Sequence, residues 1–472
     1  MNPANVGHPI SDQDQFVRFL RMAAAILIVG LSLAIAASSL KSPLLPIAFW
    51  AGLLFLVLLY RLRPTALEIL FFLLAPNLVL IPAATKIAES RTGLIWIILL
   101  LIIWYFKGMR GRWTQKSVRT PYVYLLVALC IILMVSLFVT PKFSLSYTTP
   151  PQALALVFVY WMLAQSLSGE NFKRLLTALF LGTVAGAVGF LIAVGGGATR
   201  ATLMNAAYGF TRSFVLDYNP NFWGKYVYIG LPLAAVLLLY LYKDKRHWLW
   251  IIPGALMLFM VAFISMSRSA LLAAGTSLAF LAFTHRRARK FFWVAIVGGM
   301  MVLLFLTPET LAMLSGALRL RSGLSGREDI WPLALQVISE HPFVGLGPSW
   351  FEERFFFLSP FMTNGLYSAI SKPSAHNAFL TIGTDVGIFA SIFALGIFFL
   401  FASRTRALWD RLKNTPNFGI LVGLSALVLA GFVRALFETD TILPYRYFTI
   451  NSLLIALLAL QDQLYSREFS TS

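Results

Sequence analysis

Apolar runs of about 18 residues recur along almost the whole chain, and this is the length a helix needs to cross a hydrocarbon core. Inside such a core every backbone N–H and C=O must find its partner within the protein. A chain built this way is therefore restricted to spanning helices or a closed barrel. The runs are continuous rather than alternating, which selects helices. Only 12% of residues are charged and 59% are hydrophobic, whereas soluble domains carry about 25% charged residues. No stretch is polar enough to form a sizeable soluble domain.

The expected spans lie at 22–39, 45–60, 66–83, 93–106, 122–140, 152–167, 175–195, 223–242, 248–265, 269–284, 291–307, 377–402, 417–437 and 446–463. The first run, Met22 to Ser39, ends in small residues but is too long for a cleaved signal, and reads as an anchor. The single cysteine, Cys130, lies inside an apolar run, so no internal disulfide is expected.

Charge orients the spans. With the N-terminus inside, the inner loops hold Arg61, Arg63, Lys107, Arg110, Arg112, Lys116, Arg119, Lys173, Arg174, Lys243, Lys245, Arg246, Arg286, Arg287, Arg289, Lys290, Arg404, Arg406, Arg411 and Lys413. The short outer loops of the first half hold only Lys41, Lys86, Arg91 and Lys142. This is the positive-inside pattern, and it places both termini in the cytoplasm. The same pattern accounts for the net charge of +19 without a nucleic-acid partner.

The expected organisation is a cytoplasmic tail (1–21), seven spans (22–195), a long outer loop (196–222), spans eight to eleven (223–307), a large outer loop with an amphipathic helix (308–375), the last spans (376–463) and a cytoplasmic tail (464–472).

Arginines on the outer side go against the charge rule and so carry information. Arg200, Arg212, Arg319, Arg321, Arg327 and Arg354 lie in the two long outer loops, and Arg268 sits in the tight turn SMSRSALLA. A single interfacial Arg commonly snorkels to lipid phosphates. Several on one face point instead to an anionic ligand, because guanidinium grips phosphate oxygens bidentately.

Within the large loop, Ser325 to Glu328 reads as a capping box. Ile330, Leu333, Ala334, Val337 and Ile338 then form one apolar helical face. Pro332 is best tolerated in a first turn, which puts the helix start near Asp329. The helix should end before His341-Pro342, with Gly345 and Gly347 turning the chain. It would lie flat on the bilayer or pack over the spans as a lid.

Where the loop re-enters the membrane stands Ala375-His376-Asn377, and His376 can act as a base near neutral pH. Asn219-Pro220-Asn221 marks another span mouth, with a turn as its first meaning and substrate binding as its second. Asp385 and Glu68 are carboxylates within spans. Arg434 and Glu438 stand one turn apart, as an i, i+4 pair would. There is no Walker A loop, HExxH, CxxC or Asp-x-Asp pair, so a reaction without a metal is expected, with no cofactor.

The segment GREDIWPLALQVISEHPFVGLGPSWF, followed by SAHNAFLTIGTDVGIFASIFALG, resembles the O-antigen ligase and polymerase superfamily of bacterial envelopes. SMSRSALLA and DYNPNFWGKYVYIGLPL resemble its upstream blocks, in the expected order, so the likeness spans roughly residues 205 to 460.

The resemblance implies an all-α polytopic fold of the GT-C kind, and the apolar runs give it about 14 spans with a long helical periplasmic loop before the twelfth. It implies a bacterial inner-membrane glycosyltransferase with its active site facing the periplasm. The donor would be an undecaprenyl-pyrophosphate-linked oligosaccharide, and the acceptor a glycan or lipid A–core. Arg212, Arg268 and Arg327 would hold the pyrophosphate, and His376 would take the acceptor's proton. Asn221 and Asn377 are further candidates for contacting substrate. Asp385 would orient His376 or bind a sugar hydroxyl. Among the family's activities the span count points to a polymerase, with a ligase as the alternative. From another class, a lipid-linked oligosaccharide flippase competes, but it would want polar residues along a central path.

Overall fold

Helices form at many of the expected apolar runs in the computed structural model, which describes residues 64–76, 120–139, 149–167, 171–196, 199–201, 213–215, 220–265, 267–305, 307, 327–348, 350–351, 375–439 and 448–470. The expected spans at 22–39, 45–60 and 93–106 lie outside the described residues, as do Arg212 and the Ser325 capping position. All described residues belong to one compact unit, Pro64–Ser472.

In chain order the elements are α1 (Pro64–Leu74), α2 (Tyr122–Val139), α3 (Thr149–Ser166), α4 (Phe172–Gly195), β1 (Thr199–Ala201), β2 (Ser213–Val215) and α5 (Pro220–Val236). They continue with α6 (Trp248–Ser265), α7 (Arg268–Thr284), α8 (Arg286–Phe305), α9 (Arg327–Glu340), α10 (Ala378–Val386), α11 (Ile388–Leu412), α12 (Phe418–Ala435) and α13 (Phe448–Ser470). A π-helical turn, Leu237–Leu241, extends α5.

Five of these stretches, Phe172–Gly195, Asn221–Leu241, Lys245–Ser265, Ile388–Leu412 and Phe418–Ala435, are long and apolar enough to cross a membrane. Shorter apolar helices cover Tyr122–Phe138, Ala153–Gln165 and Arg268–Thr284. On α6 the outward face is as apolar as the inward one: Leu249, Leu256, Phe259 and Phe263 are exposed while Ile251, Leu258 and Val261 are buried. A helix apolar all round, at the surface of its own bundle, suits lipid rather than water. The protein is a multi-pass helical membrane protein.

Three expectations are corrected. First, the loop expected at 196–222 is not purely irregular. It carries a two-stranded antiparallel ribbon in which Arg200 pairs with Phe214, so the fold is helical with a small β element. Second, α9 starts at Arg327, two residues before the expected Asp329, with Pro332 inside it. Pro332 is the sixth residue of the helix, just past the first turn, and the missing N–H costs one hydrogen bond near the start of the ladder.

Third, the expected twelfth span is not one helix. It breaks at Gly387, whose φ of 102° no helix can contain. The segment after α9 fills the break. Leu346 N–H donates to the Thr384 carbonyl at 2.8 Å and Gly347 N–H to the Asp385 carbonyl at 2.9 Å, while Ile388 N–H donates to the Pro342 carbonyl at 2.8 Å. These bonds satisfy backbone groups that the break would otherwise leave bare in an apolar setting. The backbones approach so closely that a Cβ at Gly345 would stand 2.5 Å from the Asp385 carbonyl carbon, and one at Gly387 2.5 Å from the Phe343 oxygen. The two glycines at this junction are required by space as well as by their positive φ.

The apolar face of α9 is buried as expected. Ile330, Leu333, Ala334 and Val337 cluster with Phe351 and Ala375, against Leu346 and Leu380. Of the two placements open to this helix, it takes the one packed over the bundle. Its docking fixes the chain immediately before α10.

Candidate active site

Ala375-His376-Asn377 links the loop to α10, and each residue is held differently. Trp331 on α9 donates its indole N–H to the Ala375 carbonyl at 3.0 Å. The Asn377 Oδ1 accepts from the Phe379 and Leu380 amides at 2.9 and 3.0 Å, a side-chain N-cap. Its Nδ2 donates to the Leu436 carbonyl at 3.1 Å. Between these anchors His376 has φ 47°, left-handed for a non-glycine residue. Such a conformation costs of order 1–3 kcal/mol and persists only where its surroundings impose it.

The anchors press His376 against the segment that follows α12. Its Nδ1 lies 3.5 Å from Glu438 Oε2, and the side chain stays 34% exposed. Arg327, the first residue of α9, donates from one Nη atom to the Phe437 carbonyl at 2.7 Å and faces Glu438 Oε1 at 3.4 Å. Glu438 Oε1 also accepts from Asn221 Nδ2 at 2.7 Å and Ser269 Oγ at 3.2 Å. Arg434, buried at the end of α12, donates to Ser269 Oγ at 3.1 Å and to the Asn221 carbonyl at 2.7 Å. Its guanidinium lies over the Tyr228 ring, 5.2 Å from the centroid. Arg268 opens α7 and stands between Ser267 and Ser269, whose hydroxyls both meet Arg434.

The N-terminal ends of α5, α7, α9 and α10 therefore converge on the C-terminal end of α12. Helix N-termini carry partial positive charge and unpaired N–H groups, so the assembly favours an anion beyond what its guanidiniums supply. Glu438 is the anion already present. Burial pushes its carboxyl up, but the His376 imidazole and the Arg434 and Arg327 guanidiniums outweigh burial and hold it at about 2.

Of the residues expected from sequence, Arg327, His376 and Asn221 meet at Glu438, Asn377 binds the nearby Leu436 carbonyl, and Arg268 adjoins Ser269 in the chain. Arg212 immediately precedes β2, outside the described residues. Asp385 is buried at the opposite end of α10 from His376, about 12 Å along the helix axis. The carboxylate at the imidazole is Glu438. Its signal in the sequence was the spacing from Arg434, which read as a local pair, whereas the contacts shown here reach 217, 169 and 111 residues along the chain. Ser267 and Ser269 went unnoticed beside Arg268. No group of three or more His, Cys, Asp or Glu side chains placed to hold a metal ion occurs among the described residues.

No curated protein matches the sequence. Residues 253–395 match the family model O-Antigen ligase, a stretch holding Arg268, Arg327, His376, Asn377 and Asp385 but neither Asn221 nor the Arg434–Glu438 segment. The matched stretch begins in α6 and runs through the α9–α10 junction into α11, and it supports the likeness to the O-antigen ligase and polymerase superfamily.

Proposed function

We propose that the protein transfers an oligosaccharide from undecaprenyl pyrophosphate to an acceptor hydroxyl at the periplasmic face of the inner membrane, with inversion and without a metal. The observation that carries this reading is the meeting of Arg327 and His376 at Glu438, which Ser269, the chain neighbour of Arg268 at the head of α7, also reaches. His376 Nε2 takes the proton from the acceptor hydroxyl as its oxygen attacks the anomeric carbon. The bond from that carbon to the pyrophosphate oxygen breaks on the opposite face, and the lipid pyrophosphate leaves with the electron pair. Guanidiniums in a water-poor site stabilise that growing charge as an oxyanion hole would. This supplies the electrostatic role a metal plays elsewhere. Arg212, close along the chain to Asn221 at the head of α5, is proposed as a third pyrophosphate ligand. Asp385, remote from the imidazole, is proposed to serve a sugar hydroxyl rather than the base.

The proposed reaction is polymerisation of lipid-linked repeat units, in keeping with the sequence-based span count. Ligation to lipid A–core is the second reading, favoured by the description of the matched family as O-Antigen ligase. Purified protein is incubated with undecaprenyl-pyrophosphate oligosaccharide, with and without lipid A–core. A ladder of products without the second acceptor supports polymerisation, and a single capped product with it supports ligation. No transfer in either arm rejects the enzyme reading and leaves the flippase.

A further inference from the structure

Resting on the glycosyltransferase reading, we infer that Glu438 is a positioning residue for His376, holding the imidazole with Nδ1 toward the carboxylate so that Nε2 is left to take the acceptor's proton. The division of contacts at Glu438 supports this. Oε1 serves Asn221, Ser269 and Arg327, while Oε2 is turned to His376 Nδ1 at 3.5 Å. A carboxylate needed only to balance the arginines would have no reason to present an oxygen to the imidazole. The left-handed backbone at His376 points the same way, since the strain is accepted where the ring meets Glu438.

The chemistry follows from the placement. As the acceptor oxygen bonds to the anomeric carbon, its proton passes to Nε2 and His376 becomes an imidazolium. The Nδ1–H then faces a fixed negative charge, which stabilises that cation and keeps the ring in the tautomer that works. Glu438 does not itself take the proton. Asn221, Ser269 and Arg327 hold it as an anion throughout, and the proton on Nε2 leaves to water after the donor lipid departs. Contacts of 3.5 Å in a ligand-free site commonly tighten when the reacting groups are bound.

Among the described residues, the charged groups gathered at this junction are Arg327 on α9 and Arg434 and Glu438 at the end of α12, with Arg268 opening α7 beside Ser269. Glu438 is the sole carboxylate among them. Its removal should therefore leave the imidazolium formed during transfer without a facing negative charge.

The test compares wild type, Glu438→Gln, Glu438→Asp and His376→Ala, each in nanodiscs with undecaprenyl-pyrophosphate oligosaccharide, measuring kcat and donor KM from pH 5 to 9. Glu438→Gln is expected to lower kcat about 10²-fold and to move the acidic limb of the rate profile about one pH unit lower. Glu438→Asp should recover part of both effects. If the Gln variant does not fold, Glu438→Asp decides alone, through a smaller shift of the limb in the same direction. A lower kcat with an unmoved limb, or a raised donor KM with unchanged kcat, overturns the assignment and leaves Glu438 a counter-ion of the arginines. His376→Ala separates the two levels: inactivity there beside a wild-type profile for Glu438→Gln sinks the positioning role alone. Wild-type kcat in His376→Ala, or no transfer by the wild type, sinks the reaction assignment beneath it.

Discussion

Arg404 lies on α11 about 24 Å below Ile388, at the other end of the bundle from His376, and there it pairs with Asp462 of α13 at 3.0 Å. This second cluster is also a buried arginine–carboxylate group in an apolar setting, but it is built on a different plan. Tyr160 donates to Asp462 and Tyr122 to Gln461, while Gln461 donates to the Phe401 carbonyl at 2.9 Å and to Thr405 Oγ1 at 2.8 Å. Arg404 also lies over the Tyr465 ring at 4.0 Å. Asp462, Gln461, Tyr122 and Tyr160 are fully buried.

In the His376 cluster the carboxylate is spread over four partners at 2.7 to 3.5 Å, and one of these, His376, keeps a third of its side chain exposed on strained backbone. A polar network that ties helices together closes on itself, because any donor left open in an apolar core is costly. A network that receives a ligand stays open on one side and keeps cations in excess of anions. Arg404–Asp462 pairs one cation with one buried anion, whereas Glu438 draws on Arg327, Arg434 and a partly exposed imidazole and fits the second description.

Substitutions should separate the two. The largest effect is expected at His376→Ala, which should lower transfer 10²- to 10⁴-fold, by roughly the worth of a general base, with insertion and melting behaviour retained. Turnover near wild type would put His376 on the structural side of the comparison. Next, Arg327→Lys should cost about 10²-fold in kcat because the bidentate grip is lost. A radiolabelled product assay reads this directly, and full turnover would mean the Arg serves only to tie α9 down.

At the other end, Asp462→Asn should leave turnover per folded molecule unchanged. It should destabilise the protein by about 3 kcal/mol, since Arg404 is left buried without its counter-charge. Thermal unfolding in detergent measures this, and a specific loss of kcat without a lower melting point would break the comparison.

The smallest effect is on acid stability. The Glu438 carboxyl is held at about 2 against an ordinary 4.5. Its folded-state value is depressed, so its contribution to stability is present above pH 4.5 and fades as pH falls toward 2. Glu438→Gln should remove that part of the acid sensitivity, and unchanged sensitivity would show the carboxylate to be uncoupled from folding.

The outer face of the site was legible because it broke a rule. Arginines crowd inner loops, so Arg268 and Arg327 on the outer side stood out, and His376 stood beside a re-entry point. The amphipathic face of α9 was legible for a similar reason, since its 3.6-residue period is local. The carboxylate was misread because nothing within one turn of Glu438 says that Asn221, Ser269, Arg327 and His376 will meet it. Asn221 and Asn377, candidates for substrate contact or for orienting the site, use their side-chain amides to hold α5, α10 and the end of α12 in place. The break at Gly387 was hidden for another reason: apolar character continues across it, and hydropathy does not register φ.

By itself the sequence determined that this chain is built of apolar helices suited to a membrane and that a few of its arginines depart from the charge pattern of the rest. Those properties follow from the residue-by-residue balance of apolar transfer and charge, which needs no partner. The tertiary structure decided which carboxylate faces His376, where the twelfth span breaks and which buried carboxylate gathers more than one cation. Each of these depends on groups more than 30 residues apart reaching hydrogen-bond distance, and a one-dimensional pattern does not encode that distance.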